Sequence, residues 1–247
     1  MSCSDVSYSE GTAGARLTPF VECFWWMVTS AEGAHTVPPD GCVDIVYSRE
    51  MGLRAVGAMT VRQDFRLTQQ SRIIGLRFRP GMARMALGLP VDRLTDLSVP
   101  LEDLWGKRAR ELSSRIGQAE ALEFWTAALI AGLDLNGCNV TPTGRAIRHM
   151  AACHGNLDLD RMACESNLSP RQFRRRCLAE SGLISKRLCR ILRFRYAQRL
   201  SGERLNWPGI AATAGYFDQS HLIRDFREFM GQPPMSVLSN TASAILP

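Results

Sequence analysis

The 247-residue chain is predicted to be α+β, with a β-rich front part trailed by helices and an all-α back part. Three observations carry this. The first 80 residues hold short apolar or alternating runs punctuated by glycine and proline, the mark of strands. After Pro80-Gly81 the apolar period becomes helical. The last hundred residues contain one helix-turn-helix pattern written twice.

In the front part, Trp25 to Val28, Val43 to Tyr47 and Ile73 to Phe78 read as strands, and Val37-Pro38-Pro39-Asp40-Gly41 reads as a turn. Met82 to Leu87 reads as a short helix ended at Gly88. A helical region opens at Leu101 to Trp105, and Ala119 to Leu133 is a strongly apolar helix. The expected organisation is a front domain over residues 1–136, β-rich to about 80 and helical over 82–134. A linker at 137–141, a helical domain at 142–239 and a tail at 240–247 follow. A chain of this length accommodates two domains with two separate cores.

The back part is more explicit. Asn206 is a cap and Pro208 a first-turn residue for a short helix carrying Ile210, Ala211, Ala212 and Ala214; Gly215 ends it. Asp218 caps the next helix. There Leu222, Ile223, Phe226, Phe229 and Met230 form the packing stripe and leave Gln219, Ser220, His221, Arg224 and Arg227 outward. Gly231, Pro233 and Pro234 stop that helix, and a short one through Val237 and Leu238 is expected after it. Upstream, Asp158 caps a helix through Ala163, and Ser169-Pro170 opens a second that closes at Gly182. Ala163 and Ala211 are 48 residues apart; Cys177 and Phe226, like Gly182 and Gly231, are 49 apart, so the second turn is one residue longer. Between the copies, Ser185 to Leu200 reads as one helix. Its 16 residues span about 24 Å, a length suited to holding two reading helices near one duplex turn, about 34 Å, apart.

These residues closely resemble the signature of the AraC family of bacterial transcription regulators. The match runs through Ile210-Ala211, Gly215-Tyr216, Asp218 to His221, Arg224-Asp225-Phe226, Gly231 and Pro234, and covers about Thr141 to Ser239. The resemblance implies two helix-turn-helix units on a rigid linker helix, entering successive major-groove segments of double-stranded DNA. One departure is Cys177, where the family usually has an aromatic residue.

Charge agrees. Residues 137–247 carry 16 Lys+Arg against 8 Asp+Glu, whereas residues 1–136 carry 14 against 16, so the net +6 comes from the back part. By position, Arg171, Arg174 and Arg175 of the first unit and Gln219, Ser220, His221 and Arg224 of the second are the expected base-reading residues. Lys186, Arg187, Arg190, Arg193 and Arg195 of the linker helix are the expected phosphate contacts.

The front part is similar to the uncharacterised sensor-type domain that precedes the DNA-binding unit in some AraC-family proteins. The similar pieces are Pro39 to Asp44, Gly75 to Gly81 and Pro100 to Gly106. A small cupin-like β-barrel with trailing helices is implied. Trp25, Trp26, Phe65 and Phe78 are either an apolar ligand pocket or core. Asp40 and Asp44 are either a carboxylate pair or a turn cap and a hydrogen-bonded acid. His35 is the only histidine before residue 149, which argues against a metal site, and no cofactor or catalytic set is expected.

Eight cysteines lack C-x-x-C or zinc-finger spacing. With neither a signal peptide nor a membrane-length apolar run, a cytoplasmic chain with reduced thiols is expected. The expected function is sequence-specific transcription regulation, not enzymatic. A small effector or homodimerisation through the front domain would modulate it, and RNA polymerase is a further partner. The alternatives are a reactive-cysteine redox or alkylation sensor on the same DNA-binding unit, and an architectural DNA-binding protein without a ligand.

Overall fold

The computed structural model describes residues 6–119, 121–133, 135, 138–202 and 205–236. Eight strands lie in the front part: β1 Val6–Thr12, β2 Val21–Thr29, β3 Gly33–Val37, β4 Val43–Ser48, β5 Gly52–Val56, β6 Gln63–Leu67, β7 Arg72–Phe78 and β8 Ser98–Pro100. Six form an antiparallel sheet in the order β1-β2-β7-β4-β5-β8, and β3 pairs with β6 as a separate ribbon. Residues from both sheets line one cavity, so they wrap a common interior as an open barrel.

Alternation along the strands divides the large sheet into two faces. Phe24, Ile45, Tyr47, Ile74, Leu76 and Phe78 point to the main core. Trp25, Met27, Asp44, Val46, Ile73 and Arg77 point to the cavity. On the core side lie α1 Ala83–Leu87, a 3-10 turn at Val91–Leu94, α2 Glu102–Trp105, α3 Lys107–Gly117 and α4 Leu122–Gly132. Trp125 of α4 is fully buried against Tyr47, ring edge to face at 5.0 Å.

The back part consists of α5 Pro142–Ala152, α6 Leu159–Glu165, α7 Pro170–Ser181, α8 Ser185–Leu200, α9 Trp207–Thr213 and α10 Gln219–Met230. Asp158, Ser169, Asn206 and Asp218 cap α6, α7, α9 and α10, and Gly182 and Gly231 end α7 and α10 in the left-handed conformation. A helical turn starts at Pro234, but the expected continuation through Val237 and Leu238, the Asn136-Gly137 linker and the tail lie outside the described residues.

The expectation of two separate cores is not met. One continuous apolar cluster runs from Phe24, Leu76 and Leu112 through Met82 and Ile147 to Phe173, Phe194 and Phe229. The physical reason is that α1 and the 3-10 turn pack on α7, carrying the apolar surface of the barrel into that of the helices. A second, small cluster, Met27, Val46, Leu67 and Ile73, lies at the cavity. Among the described residues, no helix is long and apolar enough to cross a membrane.

Candidate nucleic-acid interface

The first helix-turn-helix unit is α6 and α7; the second is α9 and α10. Helix α7 opens with a capping box: the Ser169 hydroxyl accepts from the Gln172 backbone N–H while the Gln172 side chain accepts from the Ser169 N–H. Gln172 is therefore occupied in holding the helix start. Phe173 and Cys177 face inward and are buried, which leaves Arg171, Arg174, Arg175 and Arg176 exposed. Cys177 is fully buried, and the Ser181 hydroxyl one turn on donates to the Cys177 carbonyl at 2.8 Å.

In α10, the Asp218 carboxylate accepts from the His221 backbone N–H at 2.6 Å. Leu222, Phe226 and Phe229 are buried; Gln219, Ser220 and Arg224 are exposed, and His221 is half-buried with its ring edge-on to Tyr216 at 5.2 Å. Phe217, directly before the cap, is 94% exposed. Its sequence signal is an aromatic off the packing stripe at the head of an outward-facing helix, and it was missing from the expected interface.

Two features pin the units to one another. The Asn156 side-chain amide donates to the Ala214 carbonyl at 2.9 Å, joining the approach to α6 with the turn after α9. Gly215 has φ +79°, and a Cβ there would meet the Asn156 side chain at 2.2 Å, so this turn demands glycine for both conformation and space. Helix α8 runs between the units, with Phe194 packed on Phe226 and Phe229 at ring distances of 4.8 and 5.2 Å.

The arginines of α8 behave differently from expectation. Arg190 pairs with Asp225, which is 1% exposed, at 2.6 Å, and with Glu228. Arg187 pairs with Glu228 and donates to the Thr60 carbonyl at 2.7 Å. Arg195 pairs with Glu22 of β2 at 2.7 Å. Burial works against the Glu22 carboxylate, but the Arg195 charge and hydrogen bond outweigh it and hold its pKa below the usual range. Arg193 sits half-buried with its guanidinium 5.4 Å from the centre of the Tyr216 ring. Of the linker-helix arginines expected at phosphates, Arg187, Arg190 and Arg195 are thus each paired with a carboxylate, and Arg195 faces the front domain. Lys186 alone of the five is exposed without a protein partner among the described residues.

The front domain holds a cavity of about 630 Å³. Trp25 and Phe65 line it. Trp26 and Phe78 do not: strand alternation puts Trp26 on the face opposite Trp25, and Phe78 shares the core face with Ile74 and Leu76. Trp25 lies flat over Gly75, where a Cβ would meet the indole at 2.0 Å. Its indole N–H donates to Asp44 at 3.0 Å. Arg77, cross-strand partner of Asp44, stands 3.4 Å from that carboxylate and 3.3 Å from Asp40. Asp40 also caps its turn by accepting from the Cys42 N–H at 2.8 Å. Burial pushes the Asp44 pKa up to about 6 against the pull of Arg77. Helix α8 supplies Gln198, 6% exposed, whose amide nitrogen has no hydrogen-bond partner.

His35 lines the cavity, with its pKa lowered by burial, and among the described residues no group of three or more metal-binding side chains occurs. Burial raises the thiol pKa of Cys42 well above its ordinary range, and raises those of Cys23 and Cys177 to about 12 and that of Cys189 to about 11. These four are the opposite of activated thiolates, which disfavours them as a reactive sensor.

Two helix-turn-helix units are joined by the single helix α8, and each presents its second helix with an exposed polar face. Residues 162–240 match the family model described as a helix-turn-helix domain, and residues 10–100 match a domain of unknown function. The stretch matched as a helix-turn-helix domain takes in most of α6 and all of α7 to α10. A comparison with curated proteins finds no match. Among solved structures, the DNA-binding domain of AdpA in complex with target DNA is 21% identical, with 41% of this chain and 94% of that chain covered at a TM-score of 0.38. A DNA-binding transcriptional dual regulator from Escherichia coli K-12 is 22% identical over 43% and 97%, with a TM-score of 0.37. ToxT from Vibrio cholerae is 10% identical over 96% and 98%, with a TM-score of 0.45.

Proposed function

We propose that this chain is a sequence-specific regulator that reads double-stranded DNA with the exposed faces of α7 and α10 in successive major-groove segments. Arg171, Arg174 and Arg175 address bases from the first unit, with arginine best matched to guanine O6 and N7. Gln219, Ser220, His221 and Arg224 do so from the second. Phe217 joins them as an apolar contact for a thymine methyl. Lys186 contacts phosphate. The observation carrying the reading is the pair of capped 12-residue helices, each with a buried stripe and an exposed polar face, held together by Asn156 and α8.

Regulation by a small effector is supported by the front-domain cavity, because α8 contributes Gln198 to its wall and α10 contributes Met230. A molecule bound there touches the elements that set the two reading helices, which is the differential contact an effector requires. Homodimerisation is the second route. Helix α4 buries Trp125 and Leu129 while leaving Phe124 67% and Ile130 39% exposed. RNA polymerase is a partner implied by class alone. Selection of bound duplexes from a random library tests the proposal: a single enriched two-part motif is expected. Uniform binding at matched salt would instead favour an architectural protein.

A further inference from the structure

Between the barrel and the C-terminal helices lies a second cleft, of about 500 Å³, which adjoins the front-domain cavity and shares Arg77, Arg195 and Arg199 with its wall. Five guanidinium groups line it: Arg77, Arg79, Arg148, Arg195 and Arg199. Only two carboxylates, Glu10 and Glu22, stand with them, and both are already engaged. Glu22 pairs with Arg195 at 2.7 Å, and Glu10 stands 3.8 Å from Arg77, which also faces Asp40 and Asp44. Arg79, Arg148 and Arg199 have no carboxylate partner among the described residues. They come from both sides: Arg79 from just beyond β7, Arg148 from α5 and Arg199 from α8.

The three are not equivalent to scattered surface charges. The Arg79 Nε donates to the Thr18 carbonyl at 2.8 Å, which fixes that arm while leaving its terminal nitrogens. The Arg199 guanidinium sits 5.0 Å from the centre of the Tyr196 ring, and His154 stacks on the same ring at 3.9 Å. Burial and the neighbouring Arg199 lower the His154 pKa. Leu192, Ala151 and Pro80 supply low-dielectric walls that concentrate the field of the cations. Guanidiniums that line one cleft without carboxylate partners favour an anion between them, and their planar forks match phosphoryl oxygens two at a time.

We propose that this cleft binds a small phosphorylated molecule, gripped by Arg79 from the barrel and by Arg148 and Arg199 from the C-terminal helices. The molecule bridges the two parts of the chain and by linkage stabilises their docked arrangement. A duplex cannot enter a cleft of this volume, which separates the site from DNA contact. The inference does not rest on the DNA-reading proposal.

The experiment is calorimetric titration of the full chain with pyrophosphate at constant ionic strength, in parallel with sulfate and citrate. Saturable pyrophosphate binding is expected, weakened at least about tenfold by Arg148→Ala and by Arg199→Ala, with Arg148→Lys in between. Arg148 and Arg199 are exposed, so the variants should keep the wild-type melting temperature without ligand, and that is measured alongside. Absence of saturable binding, or equal affinity in folded variants, overturns the site. Sulfate binding as tightly as pyrophosphate marks an adventitious ion only. Tighter citrate binding overturns the phosphoryl class. If the variants instead flatten the salt dependence of DNA binding and leave pyrophosphate affinity unchanged, these arginines are DNA contacts and the proposal fails.

Discussion

At the residue scale, the proposed reading positions and the linker-helix positions separate cleanly by what their charges meet. Arg175 and Arg224 are exposed with no carboxylate partner among the described residues, so truncating either should remove a base contact. Arg175→Ala and Arg224→Ala are each expected to cost about 1–3 kcal/mol of site affinity and relax preference at one position, measured by competition binding against single-base variants of the site. Lys186→Ala should weaken all sequences alike and reduce the slope of log affinity against log salt by about one, whereas Arg190→Ala should leave the slope unchanged while lowering stability, because it strands the buried Asp225. Asp44 offers a different test. Its folded pKa of about 6 exceeds its ordinary 3.8, so folding favours the protonated form. That contribution is full below about pH 4 and is lost as pH rises through about 6. Relative to Asp44→Asn, the urea midpoint of the wild type should therefore fall between pH 4 and 6; a constant difference would contradict the buried placement. The tryptophan pair shows what residue-level reading missed: Trp25 and Trp26 are adjacent in one strand, so only one can face the cavity. The partners Asp44 and Arg77 were hidden because their meeting is a cross-strand register, set by long-range pairing rather than local pattern.

At the element scale, the helices were legible because their signals are local. Asp158, Ser169, Asn206 and Asp218 were all expected as caps and all accept from backbone N–H groups two or three residues on. Ser169→Ala removes the better part of the capping box and is expected to cost about 1 kcal/mol, read as a lowered denaturation midpoint. A loss of DNA affinity beyond that expected from stability would show that the cap also aims α7. The strands were legible as strands but not in their order. Helical hydrogen bonds span four residues, whereas β7 inserts between β2 and β4, a choice that depends on which faces are buried together. The role of α8 was half legible: its length and apolar spacing were plain, but its arginines looked like a phosphate-binding row because their partners Glu22, Asp225 and Glu228 lie far away in sequence.

At the scale of the whole molecule, the front domain is fastened to both helix-turn-helix units near the C-terminal ends of their second helices. The Thr95 hydroxyl donates to the carbonyl of Gly182, which ends α7. The Arg62 backbone N–H donates to the carbonyl of Phe229 in α10 at 2.8 Å. The two front-domain loops that make these bonds are themselves joined, since Asp96 accepts from both the Thr60 N–H and its hydroxyl at 2.6 and 2.7 Å. Together with Arg195–Glu22 and the continuous core, these contacts make separate melting of the two parts costly: parting them exposes apolar surface and strands polar groups at once. The full chain is therefore expected to unfold in a single calorimetric transition, with van't Hoff and calorimetric enthalpies in agreement. Asp96→Ala, which cuts the link between the two loops, should lower that transition. It should also weaken binding to a complete two-part site more than to either half, because only the complete site requires both units in a fixed relation. Two resolved transitions in the wild type, or equal losses on half and whole sites, would mean that the loops do not set the spacing of the reading helices and that α8 alone does.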